Sequence, residues 1–197
     1  PQAMTEADIL EVIDRFVFTA KIARETGFTG VQFHSAHGYL LSEFLSPDIN
    51  TRNDAWGGSI ENRARIHLEI IQKCRAEVGT DFPISVKLNS ADFQKGGFTA
   101  DESIQVAKML EGASVDIIEI SGGSYEQPKQ IGADDLSINP ERSEVRKEST
   151  IAREAYFLEY ASNIRKSVSL PLMVTGGFRS KEGIESALQS NICQIVG

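Results

Sequence analysis

Three side chains that exchange protons or donate hydrogen bonds stand within six residues of one another: His34, His37 and Tyr39. They follow an apolar run, Gly30 to Phe33, that is typical of a buried strand. In α/β folds, ligands bind where parallel strands end and their loops begin. The sequence therefore predicts an active site at this strand end, and two of the chain's three histidines lie in it.

The His-x-x-His pair alone allows three interpretations. His34 and His37 could be buried structural histidines, zinc ligands, or groups for acid–base chemistry and carbonyl binding. Zinc requires a third protein ligand, and no nearby cysteine or aspartate offers an obvious one. The residue types by themselves leave these alternatives open.

Tyr39, Lys87 and two glycine pairs each have an ordinary structural explanation as well. A tyrosine is more often a packed aromatic with its hydroxyl at the surface. Lys87 stands inside an apolar strand, where an unpaired cation is costly, so it requires either a function or an ion pair. The pairs Gly122-Gly123 and Gly176-Gly177 are also what plain strand-to-helix turns use.

Composition describes an ordinary globular domain, which we expect to span residues 1–197. The chain is 41% hydrophobic and 24% charged, and its net charge of -8 argues against nucleic-acid or anionic-membrane surfaces. No apolar stretch approaches the roughly 20 residues of a membrane span, and no signal peptide opens the chain, so we expect a cytoplasmic location. Cys74 and Cys193 stand in apolar contexts and are predicted to be buried free thiols.

Hydrophobic periodicity predicts helices that alternate with apolar strands. The strands are Gly30 to Phe33, Pro83 to Leu88, Val115 to Ile120, Pro171 to Thr175 and Ile192 to Gly197. The helices are Thr5 to Glu25, Leu40 to Leu45, Ile60 to Val78, Ala100 to Gly112, Ile151 to Ser167 and Lys181 to Ser190. Strands of this kind imply a parallel sheet covered by helices. Five strands fit either an open doubly wound sheet or part of a (β/α)8 barrel, and composition does not separate the two.

Two long polar segments interrupt this pattern. Residues 50–65 are predicted to be a strand-to-helix loop that Asn62, Arg63 and Arg65 anchor, with Trp56 either lining the pocket or packing. Residues 127–149 are predicted to be a surface excursion over the strand ends. His67 stands in mid-helix and is predicted to lie at the surface.

Several long motifs resemble the old yellow enzyme family of flavin-dependent ene-reductases, in its NADH:flavin oxidoreductase/NADH oxidase branch. The strongest are Gly27 to Leu41, Phe44 to Pro47, Asn50 to Asp54 and Gly57 to Arg65, and the weaker ones are Val86 to Ser90 and Val174 to Phe178. The resemblance implies a TIM barrel that holds FMN at the carboxyl ends of its strands and takes electrons from NAD(P)H.

The resemblance also implies a role for each candidate residue. His34 and His37 would hydrogen-bond the carbonyl oxygen of an α,β-unsaturated substrate, which accepts hydride from reduced flavin, since donors stabilise the developing enolate charge. Tyr39 would give the proton to the α-carbon, because a phenol holds its proton at neutral pH. Lys87 stands where the family commonly has an arginine against the N1/O2 edge of the flavin.

The resemblance also makes a prediction for one glycine turn and for the number of strands in the sheet. The amides of Gly176 and Gly177 match a turn that approaches the FMN phosphate. The match begins before the fourth strand of the family's barrel and ends within the eighth, so about five of the eight strands are expected. A partial sheet has open edges, which predicts self-association or pairing with a complementary segment. In the family the first three strands supply contacts to the flavin ring, so the resemblance also implies weak or absent FMN binding by this piece alone. The alternative is a non-catalytic partial barrel that folds by self-association.

Overall fold

The computed structural model describes residues 2–123 and 157–197. Its helices are α1 (Glu6–Glu25), α2 (Leu40–Leu45), α3 (Ile60–Val78), α4 (Ala100–Gly112), α5 (Leu158–Arg165) and α6 (Lys181–Gln189). Its strands are β1 (Val31–Ser35), β2 (Ile84–Asn89), β3 (Ile117–Ser121), β4 (Leu172–Val174) and β5 (Ile195–Val196). The predicted alternation of helices and strands is confirmed for these residues.

Local capping determines where the helices begin. The Thr5 hydroxyl accepts a hydrogen bond from the Asp8 amide at 3.2 Å, and the Asp8 carboxylate accepts one from the Thr5 amide at 2.8 Å. This reciprocal pair satisfies two amides that the first turn of a helix leaves without partners. Ser59 caps α3 by accepting from the Asn62 amide, without the reciprocal contact. Threonine and serine are preferred at this position, so both caps are predictable from the sequence.

The order of the strands distinguishes the two folds that the sequence left open. All five strands are parallel, and they lie in the order β1-β2-β3-β4-β5. A doubly wound sheet reverses its strand order at a switch point, whereas a barrel adds each strand next to the preceding one. The chain therefore forms a five-stranded part of a (β/α)8 barrel, which confirms the fold that the family resemblance implied.

The two faces of the sheet differ in chemistry. The face toward the helices is apolar and buried: Phe33, Ile84, Val86, Leu88, Ile118, Ile120, Leu172 and Val174. The opposite face, which we call the inner face, carries polar side chains at alternate positions. Strand register places His34 beside Lys87, and Lys87 beside Glu119, in one row across this face.

Element boundaries differ from the prediction at several places. β1 continues to Ser35, so His34 lies inside the strand and not after it. α5 begins at Leu158, and the first residues of the predicted helix from Ile151 lie outside the described residues. The polar excursion predicted for residues 127–149 also lies outside them.

His67 contradicts the prediction that it lies at the surface. Its side chain is 2% exposed, on the buried face of α3. The prediction was wrong because the short helix α2 packs on α3 as well, and so buries more of its circumference than the sheet alone would. Trp56 is 4% exposed and packs in the core, which answers the question that the sequence left open.

The cysteines and the long loop behave as predicted. Cys74 and Cys193 are buried free thiols, and burial raises the pKa of Cys74 to about 11. Arg63 donates to the carbonyls of Leu45 and Gly58 and pairs with Glu102, so it ties the loop to two helices. Asn62 and Arg65 donate to carbonyls of the same loop.

Among the described residues, no helix has both the length and the apolar character that crossing a bilayer requires.

Gly122, directly after β3, lies where a side chain has no space. A Cβ atom there would come within 2.7 Å of a Phe157 ring carbon, 2.8 Å of a Phe93 ring carbon and 2.9 Å of the Ser90 hydroxyl. We expect Gly122→Ala to lower the free energy of unfolding by roughly 1–3 kcal/mol, because overpacking forces these neighbours apart. Urea denaturation of the chain measures this change.

Gly112→Ala provides the matched control. Nothing lies within 4 Å of a Cβ at Gly112, the last residue of α4. Alanine is the better helix former, so this variant is expected to be neutral or more stable. Equal losses in the two variants would contradict the packing explanation.

Candidate active site

His34 lies on the inner face of β1 and is held by its own strand. Its ring nitrogen Nδ1 accepts a hydrogen bond from the Ala36 amide at 3.3 Å. An accepting nitrogen carries no hydrogen in a neutral imidazole, so this bond assigns the proton to Nε2. Burial, followed by the positive charge of Lys87, lowers the pKa of His34. His34 is therefore a neutral ring at pH 7 that can donate through Nε2.

His37 lies in the turn after β1 and contacts two neighbouring strands. Its backbone has a φ of 64°, in the left-handed region. Its amide donates to Oδ1 of Asn89 at 3.2 Å, and its ring Nε2 lies 2.7 Å from Oγ of Ser121. Burial, followed by the charges of Lys87 and His34, lowers the pKa of His37 to about 4. This ring is also neutral at pH 7.

The structure brings the three side chains of the predicted site together. The ring centroids of His34 and His37 are 5.2 Å apart, and those of His34 and Tyr39 are 4.8 Å apart, in edge-to-face arrangements. Tyr39 is 47% exposed and stands at the start of α2. Two neutral imidazoles and a phenol therefore converge at the carboxyl end of β1, and they can donate hydrogen bonds to one small polar group.

Lys87 pairs with a residue that the sequence analysis did not identify. Its Nζ lies 3.0 Å from Oε1 of Glu119, whose side chain is 6% exposed. Oε2 of Glu119 accepts a hydrogen bond from Gln32 at 2.7 Å. The ion pair that was considered for Lys87 is thus present, and it offsets the cost of burying the cation.

The same contacts determine the charge of Glu119. Burial raises its pKa, but the Thr175 hydroxyl, the hydrogen bond and charge of Lys87, and the Gln32 amide lower it, and the net change is downward. The Thr175 hydroxyl lies near the carboxylate, although it makes no hydrogen bond of full geometry with the described residues. Glu119 is therefore ionised at pH 7. A signal was available in the sequence, since Lys87 and Glu119 each have apolar residues on both sides within a predicted strand.

Gly176 and Gly177 form the turn at the carboxyl end of β4. Their φ angles are 110° and 83°, which favour glycine. The Gly176 amide donates to the Gly197 carbonyl at 3.3 Å. The turn lies at the same end of the sheet as the histidines and two strands from Lys87. The structure therefore places both glycines at the carboxyl edge of the sheet, where parallel sheets commonly bind ligands.

These residues fit FMN, the cofactor that the sequence implies. A lysine ammonium has three donor hydrogens, and one contact to Glu119 leaves it able to bind another acceptor. Left-handed glycines let backbone approach a phosphate without a side chain in between. Among residues 2–123 and 157–197, no three His, Cys, Asp or Glu side chains converge as a metal site.

Asn89 and Ser121 are two further site residues that the sequence did not single out. They are the last residues of β2 and β3, they are neighbours in the sheet, and each is 1% exposed. Both contact His37. The only sequence signal is a small polar residue at the end of an apolar strand, which many turns share.

Comparison with known proteins identifies extensive similarity. The sequence profile of the NADH:flavin oxidoreductase / NADH oxidase family matches residues 1–197. The NADH-dependent flavin oxidoreductase iliE of Neonectria sp. is 39% identical over all of this chain and 25% of its own length. The NADH oxidase of Thermoanaerobacter brockii is 36% identical over 95% of this chain and 27% of its own.

Solved structures of related proteins are also similar to this chain over part of their own length. A 2-naphthoyl-CoA reductase in complex with 2-naphthoyl-CoA superimposes with a TM-score of 0.85 at 33% identity, over 99% of this chain and 27% of its own. The old yellow enzyme homologue of Zymomonas mobilis has a TM-score of 0.73 at 24% identity, over 100% of this chain and 49% of its own, which shows the shared fold. The chain thus spans between a quarter and a half of these proteins.

His67 should make the stability of the chain depend on pH. Burial lowers its pKa to about 4, although the carbonyls of Ala64 and Leu41 partly oppose the shift. Neither ring nitrogen makes a hydrogen bond of full geometry with the described residues. Below pH 6.5 the unfolded chain takes up a proton that the folded chain rejects, so stability falls as the pH falls from about 6.5 toward 4.

We expect His67→Leu to remove the part of the pH-dependent loss of stability that is due to His67. Between pH 7 and pH 4.5 the variant should lose on the order of 2–3 kcal/mol less unfolding free energy than the parent chain, since one pKa unit corresponds to about 1.4 kcal/mol. Urea denaturation at both pH values gives the difference, in which the titration of the carboxylates cancels. Parallel pH profiles for parent and variant would refute the role assigned to His67.

Proposed function

Because the chain belongs to the NADH:flavin oxidoreductase / NADH oxidase family, we propose that it is a segment of an FMN-dependent NAD(P)H oxidoreductase of the ene-reductase type. It would form one domain, residues 1–197, of an FMN-binding barrel, with a cytoplasmic location and an α,β-unsaturated carbonyl compound as substrate. The observation that carries this proposal is the convergence of His34, His37 and Tyr39, with centroid distances of 5.2 and 4.8 Å from the His34 ring.

The two histidines bind and polarise the substrate carbonyl. Both are neutral at pH 7, because burial and Lys87 lower their pKa values, so each has one N–H to donate. Donors aimed at an oxygen that becomes negative stabilise the transition state more than the ground state. A neutral imidazole is a much weaker acid than an imidazolium, so it donates a hydrogen bond to the enolate oxygen without transferring the proton. The proton for the carbon atom then comes from another group.

Tyr39 supplies the proton that completes the reaction. When bound, reduced FMN provides the hydride that the β-carbon of the substrate accepts. The Tyr39 hydroxyl then transfers its proton to the α-carbon, and the phenolate recovers a proton from water, which the 47% exposure of the side chain permits. The product is the saturated carbonyl compound.

Lys87, Gly176 and Gly177 would hold the cofactor. Lys87 places a positive charge on the inner face, beside the histidines, where it can stabilise an anionic flavin edge. The glycine turn after β4 offers backbone to the phosphate. The reductant would be NAD(P)H, since three relatives named as NADH-dependent are 38–39% identical to this chain, and one named NADPH dehydrogenase is 42% identical over 63% of it.

The test of the catalytic proposal is Tyr39→Phe in the complete protein. We expect the turnover of an enone such as 2-cyclohexenone to fall by about 10²–10⁴, the usual contribution of a general acid. Reduction of the flavin by NADH, followed by its absorbance, should be unchanged. Tyr160→Phe is the matched control, because Tyr160 belongs to helix α5 and its ring packs on Phe93. Unchanged enone turnover in Tyr39→Phe would count against this role.

A second candidate is a non-catalytic partial barrel that assembles with another copy or with a complementary segment. The observation in its favour is that β1 and β5 each have one strand neighbour within the described sheet. Phe18 on α1 and Phe28 just before β1 are also 64% and 67% exposed. Strand edges and apolar surface of this kind favour association.

The oligomeric state of the chain and its bound flavin absorbance together distinguish the two candidate functions. If the chain is a non-catalytic partial barrel, light scattering of the isolated chain should detect a dimer or a larger species. After FMN is added and the sample is passed through gel filtration, the protein should show no flavin absorbance. A stable monomer would contradict the assembly. A yellow chain with stoichiometric FMN would show instead that this segment holds the cofactor by itself.

A further inference from the structure

His37 has a backbone conformation that a histidine rarely adopts. A φ of 64° costs free energy for any residue with a Cβ, and such residues persist only where their surroundings hold them. Gly38, which follows, has a φ of 78°, so two successive residues are left-handed. The contacts that maintain this turn therefore also determine where the His37 ring points.

Asn89 holds the backbone of His37 through a side-chain amide whose orientation is fixed by its own contacts. Its Oδ1 accepts from the His37 amide at 3.2 Å. Its Nδ2 donates to Oδ1 of Asp92 and to the carbonyl of Gly123, each at 3.0 Å. Two acceptors face the nitrogen and one donor faces the oxygen, so a single orientation of the amide satisfies all three contacts. This buried side chain thereby joins the loops that follow β1, β2 and β3.

Ser121 holds the ring of the same histidine. Its Oγ lies 2.7 Å from Nε2 of His37, and the serine is 1% exposed. In a neutral imidazole one nitrogen donates and the other accepts, so the direction of this one bond decides which nitrogen carries the hydrogen. A substrate carbonyl needs the hydrogen on the nitrogen that faces it.

We propose that Asn89 and Ser121 are positioning residues for His37: Asn89 maintains its left-handed backbone, and Ser121 orients its ring and selects its tautomer. The inference rests on the proposed role of His37 as a donor to the substrate carbonyl. It explains why the two histidines of one motif are held differently. His34 is oriented by its own strand through Ala36, whereas His37 depends on the ends of the next two strands.

The test uses the histidine ring signals of the ¹⁵N-labelled chain, which has only three histidines to assign. In the parent chain we expect one tautomer of His37 to predominate, as long-range ¹H–¹⁵N correlations report. Ser121→Ala should populate both tautomers, and Ser121→Thr, which keeps the hydroxyl, should restore one. Ser85→Ala is the matched control, because that hydroxyl bonds Gln32 on the same face and no histidine.

The backbone contact is tested separately through hydrogen exchange. Asn89→Ala should speed exchange of the His37 amide by at least about tenfold, because its acceptor is lost. Asn50→Ala is the control, since this buried amide bonds the carbonyls of Phe44 and Trp56 in another loop. If Asn89→Ala does not fold, Asn89→Leu, which keeps a similar volume and also removes the acceptor, supplies the same measurement with the same expected result.

The outcomes separate this inference from the proposed function. An unchanged His37 tautomer in Ser121→Ala, or unchanged exchange in the Asn89 variants, overturns the positioning role. In the complete FMN-loaded protein, Ser121→Ala should raise KM for 2-cyclohexenone about tenfold, with a smaller change in kcat, because the oriented donor contributes to substrate binding. If His37→Ala leaves enone turnover unchanged, the proposed function fails, whereas the tautomer and exchange results still decide how His37 is held.

Discussion

The parallel register of β1, β2 and β3 determines where each candidate functional side chain lies. Side chains alternate between the two faces of a strand, so a shift by one residue would move a whole set to the other face. The observed register places His34, Lys87 and Glu119 in one row on the inner face. The apolar residues between them pack under the helices, and this burial holds the row in place.

Electrostatics within this row follow from its burial. An isolated cation there would be costly, and the 3.0 Å contact between Lys87 and Glu119 offsets that cost. The same positive charge acts on the histidines, whose pKa values burial has already lowered. The site therefore combines one ion pair with two neutral imidazoles. That combination suits hydrogen-bond donation to a developing oxyanion better than it suits a cationic acid.

A second set of contacts maintains the geometry at the strand ends. The left-handed turn at His37 and the buried amide of Asn89 tie three consecutive loops together, and Arg63 ties the loop between α2 and α3 to α4 through Glu102. Loops that carry function are held by a rigid scaffold in many α/β proteins. In this chain the scaffold contributes individual side chains as well as strand ends, so the site depends on tertiary contacts at each of its members.

The sequence by itself determined the types and order of the elements, the helix caps at Thr5 and Ser59, the buried thiols and the proximity of His34, His37 and Tyr39. These features depend on local patterns, in which residues a few positions apart decide the outcome. Strand order, the burial of His67 and the partners of the site residues required the tertiary structure. His37 lies 52 residues from Asn89 and 84 from Ser121, and Gln32 lies 87 from Glu119. Which strands become neighbours, and in which register, is decided by the packing of the whole sheet, and no local pattern records it.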